Sequence, residues 1–159
     1  MTITNEREAP GTSTDAAAER VVVVGVDGSE ASSAALEWAA EEAHLRGATL
    51  RVVHAWHLPT MAYAGAGYVA VPELQSVGDD VAVALGSQVS DVLGAHPDVT
   101  LEPRVTEGPA AQVLLDAAKG AEMVVVGSHG RGGFTGLMLG SVSAQVAHHA
   151  HCPVVIVRS

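Results

Sequence analysis

Residues 21–56 read VVVVGVDGSEASSAALEWAAEEAHLRGATLRVVHAW, and the stretch changes periodicity twice. Val21-Val22-Val23-Val24-Gly25-Val26 is apolar at almost every position, the pattern of a central parallel strand covered on both faces. Asp27-Gly28-Ser29 interrupts it, with Ser29 or Asp27 available to cap the segment that follows. Ala35, Leu36, Trp38, Ala39, Ala43 and Leu45 then recur at helical spacing until Gly47 ends the run. Thr49–Trp56 (TLRVVHAW) returns to strand. Strand, helix and strand in this order make a βαβ unit, and hence a parallel sheet.

The alternation continues downstream. Residues 76–95 form a helix by the spacing of Val77, Val81, Val83, Leu85, Val89, Val92 and Leu93, stopped near Gly94 and Pro97. Val99–Thr106 reads as a third strand and Pro109–Lys119 as a short helix, with Pro at its start and Gly120 beyond its end. Met123–Gly127 (MVVVG) is a fourth strand. A glycine-rich stretch leads to a helix over Ser141–Ala150, and Pro153–Val157 (PVVIV) is the fifth strand. Right-handed crossovers make this order an α/β fold: an open, flavodoxin-like (Rossmann-like) five-stranded parallel sheet, with helices on both faces. Its economical strand order is 3-2-1-4-5. Residues 1–19 read as a disordered polar tail and 20–159 as one domain. Residues 57–75 (HLPTMAYAGAGYVAVPELQ) break the rhythm; a connection so long is either functional, as a lid over a ligand, or poorly ordered.

Composition narrows the function. The 159 residues are 48% hydrophobic, and 8 basic against 18 acidic side chains give a net charge of −10. Such a chain is not wholly disordered and lacks a general electrostatic grip on nucleic acid or anionic lipid. Cys152 is the single cysteine, so neither an internal disulfide nor a CxxC site is available. The polar start has no apolar leader and no run reaches membrane-spanning length. These features point to a cytoplasmic protein with neither nucleic acid nor membrane as partner.

In open parallel sheets, ligands bind beyond the carboxyl ends of the strands where the strand order reverses. Here that crevice lies between strands 1 and 4. It is reached by Val26-Asp27-Gly28-Ser29 and by the loop after strand 4, where six of the fourteen residues 127–140 are glycine. Glycine admits positive φ and lets backbone N–H groups approach an anion. Gly127, Gly130 and Gly140 are therefore expected where the backbone lies against a ligand. The loop delivers Gly140-Ser141-Val142-Ser143 to a helix start, where free N–H groups, the positive dipole end and two hydroxyls converge as a phosphate site. Arg131 is the local cation. Neither GxxxxGK[ST] nor GxGxxG is present.

Gly127-x2-Gly130-x9-Gly140-Ser141 resembles the G-2x-G-9x-G-(S/T) signature of the ATP-binding universal stress proteins. The resemblance covers nearly all of residues 20–158, including VVVGVDGSEASSAALEWA, Glu107-Gly108-Pro109-Ala110, MVVVGSHGRGG and CPVVIV. It implies a flavodoxin-like fold that binds ATP, with Mg²⁺, in a homodimer, and a stress-response regulator rather than a metabolic enzyme. By the same resemblance the adenosine end lies near Val26, Asp27, Gly28 and Ala55, and Val126 and Gly127 line the ribose side. His129 and Gly130 open the phosphate loop, and Gly140, Ser141, Val142 and Ser143 hold the phosphates. Asp27 either accepts from adenine or ribose or caps the first helix. The alternatives are a slow ATP hydrolase, a cyclic AMP-binding protein, or a flavin carrier; the last is disfavoured by only five aromatic residues.

Other clusters point less clearly to chemistry. His148, His149, His151 and Cys152 have the composition of a metal site, but the dipole of a helix C-terminus attracts histidines by itself. His54 reads as a packed strand residue and His57 as a weak site candidate. No serine has a defensible His/Asp partner, and no GxSxG elbow exists. The apolar edge strand 153–157 is a template for pairing with a second copy.

Overall fold

The computed structural model describes residues 19–57, 86, 89–92, 94–132 and 138–159. In chain order these form β1 (Val21–Gly25), α1 (Glu30–Arg46), β2 (Thr49–Trp56), β3 (Leu101–Glu107), α2 (Ala110–Ala117), β4 (Met123–Gly127), α3 (Ser141–His149) and β5 (Val154–Val157). Residues 86, 89–92, 94 and 95 are helical, within the span read as a helix over 76–95. Most of the tail, the 58–75 connection and residues 133–137 of the glycine-rich loop lie outside the described residues.

The sheet is parallel throughout, in the order β3-β2-β1-β4-β5 expected from the crossovers. Alternation along the strands sorts the core into two layers. Val22, Val24, Leu50, Val52, Met123 and Val125 pack on the α1 side with Val89, whereas Val21, Val23, Val53, Val124 and Val126 pack with Leu114 of α2 and Val146 of α3. Val22, Val23, Val24, Val52, Val124 and Val125 are wholly buried, each worth roughly 1.5–3 kcal/mol against exposure.

Ser29, not Asp27, caps α1: its Oγ accepts the Ser32 N–H at 3.2 Å. Gly47 closes the helix in the left-handed region at φ 59°, and the Ala48 N–H reaches back to the Ala43 carbonyl at 2.9 Å, a glycine C-cap geometry. The helical face differs from the one periodicity suggests. Trp38 is 39% and Leu45 70% exposed, and the buried face is Ala31, Ser32, Ala35, Leu36, Ala39, Ala40 and Ala43. These small side chains let α1 lie close against the sheet, so the large apolar residues are not needed to fill the gap.

The third strand starts later than expected, at Leu101, although the Thr100 carbonyl already accepts from Leu50 N–H at 2.8 Å. The two edges differ in chemistry. β3 carries Glu102, Arg104 and Glu107, whereas β5 is four half-buried apolar residues.

Candidate functional site

The carboxyl ends of β1 and β4, neighbours in the sheet, carry the two loops that build the site. One carboxylate joins them. Asp27 Oδ1 accepts the Ser29 N–H at 3.0 Å within its own loop, and Oδ2 accepts the Arg131 N–H at 3.0 Å from the other. The Asp27 N–H in turn donates to Ser32 Oγ at 3.3 Å. Burial acts to raise the acid's pKa, but hydrogen bonds from Ser29, from the backbone of Ser29 and Arg131, and from Ser32 outweigh it, and Asp27 is held below the ordinary value. It is therefore an anion that bridges two loops.

Glycines make that bridge possible for steric reasons that differ from site to site. Gly28 has φ 80°, a conformation disfavoured for residues with a Cβ, and the Arg131 guanidinium lies over it: a Cβ there would fall 2.9 Å from Nη2. A Cβ on Gly130 would lie 2.5 Å from Asp27 Oδ2. Gly127 is tight against α1, where a Cβ would come within 2.8 Å of the Ala31 backbone. None of Gly127, Gly130 and Gly140 has positive φ. Of the two reasons glycine offers here, positive φ and close approach, the structure shows close approach, to protein neighbours.

Ser128 is the hinge pin of the second loop. Its N–H donates to the Val157 carbonyl at 2.7 Å, tying the loop to the end of β5. Its buried carbonyl accepts from the Gly140 N–H at 2.7 Å and from Ser143 Oγ at 2.9 Å, so the loop leaves and returns at one point. Ser143, expected to face phosphate, is 3% exposed and its hydroxyl is turned inward onto the Ser128 and Gly140 carbonyls. Ser141 is exposed, and α3 has no side-chain N-cap at Gly140. The first-turn N–H groups of Ser141, Val142 and Ser143 have no intrahelical acceptor.

His129 Nδ1 lies 3.2 Å from Ser128 Oγ. A hollow of about 300 Å³ beside it is lined by Ser128, His129, Met138, Arg158 and Ser159. The sequence places Ser128 in this loop without a role for it, and does not place Arg158 here. Ser128 acts mainly through backbone atoms, which leave no mark in residue type, and Arg158 enters through strand order.

The remaining candidates are more dispersed. Val26 extends β1 through its N–H to the Val53 carbonyl at 2.9 Å, and His54 Nδ1–H donates to the Val26 carbonyl at 2.8 Å. Gly25 pairs with Val53 in the register, so two residues further along Ala55 lies level with Asp27. Val126 is buried against the α2 and α3 layer, so only its backbone can line a ligand. Val142 packs partly on the same layer. The His148 and His149 rings meet edge to face at 4.7 Å. Among the described residues, no three His, Cys, Asp or Glu side chains converge as a metal site would require, and no helix is long and apolar enough to cross a membrane.

Comparison with known proteins adds a second line of argument. Residues 19–158 match the Universal stress protein family. A universal stress protein of Mycolicibacterium smegmatis is 39% identical over 141 residues, covering 86% of this chain and 45% of the relative. The chain thus spans about half the length of the curated relatives it matches. Among solved structures, a universal stress protein in complex with cAMP superposes with a TM-score of 0.63 at 28% identity, covering 89% of this chain and 98% of the other. The universal stress protein from Archaeoglobus fulgidus in complex with dAMP gives 0.59 at 25%, covering 88% and 98%.

Proposed function

Because this chain belongs to the universal stress protein family, we propose that it is an adenine-nucleotide-binding regulator of a cytoplasmic stress response, with ATP as its ligand. The observation that carries the reading is the Asp27 bridge: it holds the β1 and β4 loops together at the switch point, beside the uncapped start of α3. The N–H groups of Ser141, Val142 and Ser143, the Ser141 hydroxyl and the Arg131 guanidinium supply donors for phosphate. Val26, Asp27 and Ala55 lie on the side left for the nucleoside. Each Asp27 oxygen keeps a second lone pair that can accept from ribose or adenine. Ser143 acts as the clasp of the loop.

Any Mg²⁺ would be carried by the phosphates of the ligand, since among the described residues no cluster of three His, Cys, Asp or Glu could hold it. The chain itself then binds and orients. Turnover is expected to be negligible or slow, because phosphoryl transfer depends on a positioned base or water-orienting residue as well as on cations, and the sequence offers no recognisable one. The sole lysine, Lys119, is paired with Asp116 at the end of α2, away from the loop.

A second reading, cyclic AMP, is supported by the relative solved with that ligand. Calorimetry with ATP and cyclic AMP on the unaltered chain and on Gly130→Ala tests both. The added Cβ must displace the Asp27 carboxylate, so the preferred ligand should lose at least about tenfold in affinity, about 1.4 kcal/mol. Unchanged binding in a folded Gly130→Ala variant contradicts the site.

A further inference from the structure

Seven of the basic side chains fall within the described residues, and five of them are matched by carboxylates. Arg20 pairs with Glu122, Arg46 with Glu42, Arg51 and Arg104 with Glu102, and Lys119 with Asp116. Among the described residues only Arg131 and Arg158 have no carboxylate partner, in a chain of net charge −10. Both lie at the carboxyl end of the sheet, beside the same loop. Arg131 leans over Gly28 on the β1 side. Arg158 lies on the β5 side: the Val157 carbonyl bonded to Ser128 N–H sets the next residue beside the base of the loop, and Arg158 lines the hollow there. At about 300 Å³ that hollow is at the small end of ligand pockets. Among the described residues its lining is Ser128, His129, Met138, Arg158 and Ser159, with one guanidinium.

We propose that Arg158 is the residue that discriminates by phosphate number. On the reading of this loop as the nucleotide site, the phosphate nearest the nucleoside lies at the start of α3 within reach of Arg131. The further phosphates of a nucleoside di- or triphosphate extend into the hollow, where Arg158 receives them in a forked, charge-assisted contact. A monophosphate or cyclic monophosphate does not reach it. Arg158 thereby sets a preference for ATP over AMP and cyclic AMP without touching the nucleoside.

The experiment is calorimetric titration of the unaltered chain, Arg158→Gln and Arg158→Lys with ATP, AMP and cyclic AMP, with thermal melts as the control for folding. Arg158→Gln should lower ATP affinity about tenfold and leave AMP and cyclic AMP unchanged. Arg158→Lys should restore part of the loss, because it keeps the charge but not the fork. The ATP affinity of the unaltered chain should also fall more steeply with added salt than that of Arg158→Gln. An Arg158→Gln variant that binds ATP as before, or that loses ATP and AMP equally, overturns the proposal while leaving the site standing. Absence of binding by the unaltered chain to any of the three overturns the site and the proposal together.

Discussion

Ser141 and Ser143 are two residues apart and face opposite ways, which separates their effects. Ser143→Ala removes a buried donor from the Ser128 carbonyl and should lower stability by about 1 kcal/mol, weakening adenosine and ATP alike. Ser141→Ala should leave the melting temperature unchanged and weaken ATP alone. Melts and calorimetry on the two variants distinguish these roles, and equal losses of ATP and adenosine in Ser141→Ala would remove that hydroxyl from the phosphate. Asp27 makes a pH-dependent contribution whose sign follows from its environment. Its folded pKa lies below the ordinary 3.8, so its stabilisation is complete above that value and is lost as pH falls through the folded pKa. Asp98, Glu102 and Asp116 shift the same way, Asp98 chiefly through its own backbone N–H and His44, Glu102 chiefly through Arg104, and Asp116 chiefly through Lys119. Those three pairs are largely exposed and screened by solvent. Urea denaturation from neutral pH down to the carboxylate range should therefore show stability falling on the acid side chiefly through Asp27. Asp27→Asn should flatten part of that fall; an identical pH profile would deny the carboxylate its bridging role.

At the scale of the element, α1 shows why periodicity alone misassigns a face. The helix meets the sheet through alanines, so the contact has no room for growth. Ala39 is completely buried, and Ala39→Leu should cost about 1–3 kcal/mol through overpacking. Leu45→Ala, on the exposed face of the same helix, should change stability by no more than about 0.5 kcal/mol. Chemical denaturation of the two variants tests this, and the reverse order would place the core contact on the Leu45 face. The loop after β4 teaches a related lesson. Its glycines were legible as a cluster, but the neighbours that crowd three of them were not: Ala31 of α1 for Gly127, the Asp27 carboxylate for Gly130, and the His129 backbone with Ser128 and Ser143 for Gly140.

For the whole molecule, the ladder itself supplies a probe of whether the β5 edge pairs with a second copy. The Pro153 and Val157 carbonyls point inward to β4, accepting from Val124 and Ser128 N–H at 2.9 and 2.7 Å. By alternation, the backbone groups of Val154 and Ile156 face the free edge. Val155 packs on the α1 layer, so a charge there would harm the monomer as well as any dimer. Ile156→Pro removes one outward N–H and leaves the inward ladder in place. If the chain dimerises through this edge, sedimentation should show about twice 16.2 kDa for the unaltered chain and a shift towards monomer for the variant; a dimer indifferent to Ile156→Pro uses another surface. Sequence by itself determined the element order, the parallel sheet with its 3-2-1-4-5 arrangement, and the position of the glycine-rich loop. Those depend on local periodicity, turn residues and the handedness of crossovers, all written in consecutive residues. Only the tertiary structure decided that Asp27 bridges to Arg131, that Ser143 turns inward while Ser141 faces out, and that Arg158 flanks the loop. Each of these joins residues from different parts of the chain through backbone groups or side-chain direction, and residue type alone does not encode which way a hydroxyl or a carbonyl points.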